Sequence, residues 1–190
     1  MTDSSETWAN PGSDVGLYVH WPYCSRICPY CDFNVVRDRG RVEEQAALVE
    51  AILADMRAQR ALTGSRRLAS IFFGGGTPSL MAPEAAARII AQAYDLFPPA
   101  GAIEISLEAN PTDAEAARFA ALAGAGVNRL SMGVQALDDA ALRFLGRGNQ
   151  SFNAARSLAK ARERWLIASL AAGSISPKVS APPSGMKMGS

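Results

Sequence analysis

Four short apolar runs punctuate the chain, and each is followed by a longer stretch in which apolar residues return every three or four positions. The runs are Val15 to His20, Ala69 to Phe73, Ile103 to Leu107 and Arg129 to Met132. Their length predicts buried parallel strands. Between the first two, residues 42–60 place Leu48, Ile52 and Met56 on one stripe with Val49 and Leu53 beside it, the signature of an amphipathic helix. Pro83 suits the first turn of a second helix carrying Ile89, Ile90 and Tyr94, which Pro98-Pro99 stops. Thr112 and Glu115 form a capping box for a third, ending in Gly124-Ala125-Gly126. Asp138 caps a short fourth, Asp139 to Leu145, before Gly146, and residues 151–164 are compatible with one more.

Strands alternating with helices predict an α/β fold of βαβ units in one parallel sheet, open or curled into a barrel. In such folds, sites form at the carboxyl ends of the strands. Every polar cluster of this sequence follows a strand. A cysteine-rich loop follows the first, Gly74-Gly75-Gly76-Thr77-Pro78 the second, Glu108-Ala109-Asn110-Pro111 closes the third, and Gly133-Val134-Gln135 follows the fourth. Four loops are therefore expected to converge on one rim.

A complete eight-unit barrel takes about 250 residues, so 190 residues predict a partial (βα) barrel of about four strands with its C-terminal part missing. Residues 1–14 are polar and read as a disordered lead. Residues 15–164 form the core domain. Residues 165–190 carry no acidic side chain and are rich in glycine, proline and serine, the composition of a disordered or aberrant tail left by truncation.

Charge and composition narrow the partners. Nineteen basic against eighteen acidic residues give a net charge of +1, which provides no footprint for nucleic acid. No apolar run approaches the roughly 18 residues of a membrane span, and the start lacks the pattern of a secretory signal. The expected compartment is cytoplasmic, with small molecules or proteins as partners.

The chemistry concentrates in the only three cysteines, Cys24, Cys28 and Cys31. Four-iron clusters are held by cysteine thiolates, normally four, so a compact trio holds three irons and leaves the fourth open. A zinc site completed by His20, the only histidine, is the competing reading. Disulfide pairing fits an odd count poorly. Glycines at 74–76 permit close approach of a ligand to the backbone, and Thr77 adds a hydroxyl. Such a loop also serves purely steric ends. Glu108 is suited to accept from ribose hydroxyls and Gln135 to bond an amino-acid or nucleoside group. Arg147 is suited to pair with a carboxylate, although an exposed arginine after a helix is the commoner case.

With Tyr18-Val19-His20-Trp21-Pro22-Tyr23-Cys24, Cys28-Pro29-Tyr30-Cys31-Asp32-Phe33-Asn34, Phe72 to Leu80, Glu108 to Pro111 and Gly126 to Gln135, the chain resembles the coproporphyrinogen III oxidase-like branch of radical S-adenosylmethionine (SAM) proteins. The resemblance covers about residues 15–150 and is nearest to the heme chaperones of that branch. It implies that Cys24, Cys28 and Cys31 bind a [4Fe-4S] cluster, with SAM on its open iron. It also implies that Tyr18, Tyr30, Gly75, Gly76, Thr77, Glu108, Gln135 and Arg147 line the SAM site. The dehydrogenases of the branch carry another cysteine two positions after the third ligand, where Phe33 stands here. The resemblance thus implies heme binding and delivery to membrane-bound respiratory proteins, with catalysis by truncated machinery in doubt. Oxidative decarboxylation of coproporphyrinogen III is the alternative, and a zinc-binding structural module the third reading.

Overall fold

The computed structural model describes residues 13–111 and 118–147 in full and the backbone of residues 166–171. In chain order the elements are β1 (Val15–Trp21), β2 (Tyr23–Cys24), β3 (Val36–Arg37), α1 (Val42–Thr63), β4 (Leu68–Gly75), a 3-10 turn (Pro78–Leu80), α2 (Pro83–Leu96), β5 (Pro99–Ala109), α3 (Phe119–Gly124), β6 (Arg129–Gln135), α4 (Asp139–Phe144) and β7 (Leu166–Ala171). Five strands form one sheet in the order β1-β4-β5-β6-β7. All its pairings are parallel, which forces each connection to cross back over the sheet. The result is a barrel-like partial parallel sheet, with β2 and β3 as a separate parallel ladder beside it.

Each of the four apolar runs lies inside a strand. The local stop and start signals also hold: Pro83 opens α2, Asp138 accepts the Ala141 N–H at 2.7 Å, and α3 ends at Gly124 with Gly126 at φ 107°. The strand Leu166–Ala171 falls within the tail expected to be structureless and raises the strand count to five. Its six residues, Leu-Ile-Ala-Ser-Leu-Ala, pair with β6 ahead of the glycine, proline and serine that set the tail's composition. The polar lead up to residue 12, the capping box at Thr112 and Glu115, the helix expected over 151–164 and the rest of the tail lie outside the described residues.

The sheet has two unlike faces because successive strand residues point opposite ways. On one, Val19, Trp21, Ile71, Phe73, Ile105, Leu107, Leu130 and Met132 are buried against Val49, Leu53 and Met56 of α1 and Ala86, Ile89, Ile90 and Ala93 of α2. Each large side chain so buried contributes about 1.5–3 kcal/mol. Tyr94, expected among the apolar residues of α2, is exposed instead. On the other face stand Tyr18, His20, Phe72, Glu104, Ser106, Glu108, Arg129, Ser131 and Gln135, in matching registers across β1, β4, β5 and β6. An incomplete sheet of buried strands predicts an apolar open face. The open face is instead largely polar, with Arg129 donating to Glu104 at 3.2 Å and to Ser106 at 2.8 Å. Among the described residues, no helix is long and apolar enough to cross a membrane.

Candidate functional site

The four strand ends do share a rim. The loops leaving β1, β4, β5 and β6 line a cleft of about 510 Å³, and Cys24, Cys28, Cys31, Tyr30, Gly75, Gly76, Thr77, Glu108, Gln135 and Arg147 all border it. Tyr18 does not. Its ring stacks on Phe72 and its hydroxyl lies 3.1 Å from His20 Nδ1.

Cys24 closes β2 and is buried, its carbonyl accepting the Asp38 N–H at 2.7 Å. The Cys31 N–H donates to the Cys28 carbonyl at 3.0 Å, closing a turn that holds those two residues near each other. All three thiols are free. Burial pushes the Cys24 thiol up; a hydrogen bond from Thr77 opposes it, the neighbouring Cys31 and Cys28 add to it, and Arg147 opposes it weakly. A bound metal would favour release of the Cys24 proton against that burial. Among the described residues, no three His, Cys, Asp or Glu side chains converge as a single ion requires. Nor is His20 directed to the thiols: its Nε2 donates to the Asn34 carbonyl at 2.9 Å, which leaves Nδ1 to accept from Tyr18.

The glycine loop works differently from a simple ligand cradle. Gly76 N–H donates to the Trp21 carbonyl at 2.7 Å and Thr77 N–H to the Tyr23 carbonyl at 2.8 Å. A Cβ on Gly76 would stand 2.6 Å from the Pro22 carbonyl oxygen, and one on Gly75, at φ 113°, 2.7 Å from the His20 ring. The space these glycines leave is filled by the end of β1 at Gly75 and by the start of the cysteine-bearing segment at Gly76. Their backbone still borders the cleft.

Glu108 accepts the Gly75 N–H at 3.1 Å, and burial raises its pKa against the lowering effect of that bond. Gln135 sits at φ 67°, while Ala136 N–H donates to the Val134 carbonyl at 2.8 Å. That is the strained, positive-φ form of the γ-turn, a geometry costing about 1–3 kcal/mol.

Arg147 is not a solvated side chain. It follows α4 through a Schellman motif: Gly146, at φ 67°, donates to the Arg143 carbonyl at 3.0 Å and Arg147 N–H to the Leu142 carbonyl at 2.8 Å. Its Nε donates to the Tyr30 hydroxyl at 2.8 Å and its Nη1 to Asn110 Oδ1 at 2.6 Å. Asn110 Nδ2 donates to Thr77 Oγ1 at 3.1 Å, and Thr77 Oγ1 lies 3.5 Å from Cys24 Sγ. Asn110 is thus central to the site although sequence reasoning gave it no role; its place at the end of an apolar strand, just before Pro111, was the available signal.

A parallel βα sheet whose strand-end loops bring three free thiols and a glycine loop to one cleft defines the class, and residues 18–170 match the radical SAM superfamily. The chain belongs to that family. The radical S-adenosyl methionine domain-containing protein 1, mitochondrial, of Mus musculus is 48% identical over 149 residues, 78% of this chain and 33% of that protein. The heme chaperone HemW of Escherichia coli (strain K12) is 40% identical over 147 residues, 76% of this chain and 39% of the chaperone. Among solved structures, coproporphyrinogen III oxidase (HemN) from Escherichia coli, described as a radical SAM enzyme, superposes with a TM-score of 0.76 at 26% identity, over 86% of this chain and 38% of the enzyme. The chain is therefore related to both the HemW and HemN branches, and it spans 33% to 39% of the length of these curated relatives.

Proposed function

We propose that this chain is the cluster- and SAM-binding part of a radical SAM protein directed at a tetrapyrrole. The observation that carries the proposal is the cleft where all three free thiols meet the ends of β4, β5 and β6. Its donor set fits a [4Fe-4S] cluster: Cys24, Cys28 and Cys31, three soft thiols on one loop, would hold three irons and leave one for SAM. Bound there, the cluster supplies an electron to the SAM sulfonium. Gly75, Gly76 and Thr77 face the methionine end, Glu108 accepts from the ribose, and Gln135 and Arg147 bond the remaining polar groups. Tyr30 borders the same space, and Tyr18 supports it from the open face.

Fold likeness to the Escherichia coli oxidase supports oxidation of coproporphyrinogen III as the reaction. Heme delivery to membrane-bound respiratory proteins is the second reading, and a specific observation favours it: Phe33, two positions after Cys31, is 66% exposed and borders the cleft, offering an apolar surface where the dehydrogenases carry a further thiol. Anaerobic reconstitution tests the common ground. It should give about four irons and four sulfides per chain, and SAM should then perturb the paramagnetic resonance spectrum of the reduced cluster. Deoxyadenosine formed with coproporphyrinogen III supports the enzyme, and stoichiometric heme retention without turnover supports delivery. Tightly bound zinc with no sulfide overturns both.

A further inference from the structure

The hydrogen bonds around Asn110 have a direction, and chemistry fixes it. A guanidinium only donates, so the Asn110 atom facing Arg147 Nη1 at 2.6 Å must be the carbonyl Oδ1. The amide nitrogen then faces Thr77 and donates to Oγ1 at 3.1 Å. With an oxygen lone pair so engaged, the Thr77 proton is free to point at Cys24 Sγ, 3.5 Å away and buried. We infer that Asn110 is a positioning residue: it transmits the fixed polarity of Arg147 to the Thr77 hydroxyl and so commits that hydroxyl to donating to the Cys24 sulfur. The inference rests on Cys24 being a cluster ligand, as proposed above, and assigns the side chain that tunes it.

The physical consequence is a redox one. Hydrogen bonds to cluster sulfurs stabilise the more negative, reduced state and raise the potential. Chains of donors polarise one another, so the cation at one end strengthens the last bond. The same chain couples the two ends of the cleft. An anion that draws Arg147 away from Asn110 removes the contact that fixes the amide's polarity, and the commitment of the Thr77 hydroxyl weakens.

The test uses the full 190-residue chain, reconstituted anaerobically, with redox titration followed by paramagnetic resonance and with iron content as control. Asn110→Ala should keep its iron, while its reduced fraction at the wild-type midpoint falls roughly tenfold in ratio, equivalent to about 59 mV for a one-electron couple. Thr77→Val should shift the potential in the same direction, and the double variant should shift no further than Thr77→Val alone. Thr77→Ser, which keeps the hydroxyl, should titrate like wild type. An unshifted Asn110→Ala, or a double variant equal to the sum of the singles, overturns the inference while leaving the cluster reading intact. If Thr77→Val fails to fold, Asn110→Ala and Thr77→Ser decide the matter between them. A wild-type chain that assembles no cluster overturns the functional reading, and this inference with it.

Discussion

Glu108 shows how a single side chain carries both fold and site. Burial holds its carboxyl above the ordinary value, and the Gly75 amide offsets only part of that. The folded chain therefore binds this proton more tightly than the unfolded one, and stability falls as pH rises from the ordinary carboxylate value through the raised one. Glu108→Gln keeps an acceptor for Gly75 and removes the charge. On thermal melts without iron it should match wild type on the acid side of that window and melt higher on the alkaline side. A wild-type chain that gains stability across the window would mean that pairing, not burial, governs Glu108. Its position at a strand end was readable from the sequence. Its partner, 33 residues away on another strand, was not.

At the scale of elements, α4 is six residues long, too short to stand without its caps. The Asp138 carboxylate satisfies one end and the Gly146 turn the other, and the second of these aims Arg147 into the cleft. Asp138→Ala should cost about 1 kcal/mol and weaken the spectroscopic response to SAM while iron content stays unchanged, because no cysteine lies on α4. Loss of iron in that variant would show that α4 also supports the thiols. Both caps were legible beforehand, as were Pro83 and the four strand cores, since these are signals carried by neighbouring residues. The network through Asn110 was not. Its links span 33, 37 and 117 residues, and no local pattern encodes them. Glu104, Ser106 and Arg129 were in plain view inside or beside apolar runs, yet their meaning, a polar open face, emerges only when strands are set in register.

For the whole molecule, cysteine ligation should act as a global fastener. A ligand that binds only the folded chain raises its melting temperature, and each kcal/mol is worth roughly 2–4 °C at this length. Anaerobic removal of iron with a chelator should therefore lower the melting temperature by about 5 °C or more. An unchanged midpoint would show that the cysteine loop is indifferent to global unfolding. The close contact at Gly76 also sets a timetable. The carbonyls of Trp21 and Tyr23, which flank Pro22, accept hydrogen bonds from Gly76 and Thr77, residues that a ribosome adds more than fifty positions later. Until β4 has docked on β1, the segment bearing Cys24 is held only by its short ladder to β3, through the Val36 and Asp38 amides, and lacks its bonds from the glycine loop. If the three thiols hold a cluster as proposed, iron delivered to the emerging chain before that moment would meet a Cys24 segment held on one side only, and maturation would belong after the first βαβ unit has closed.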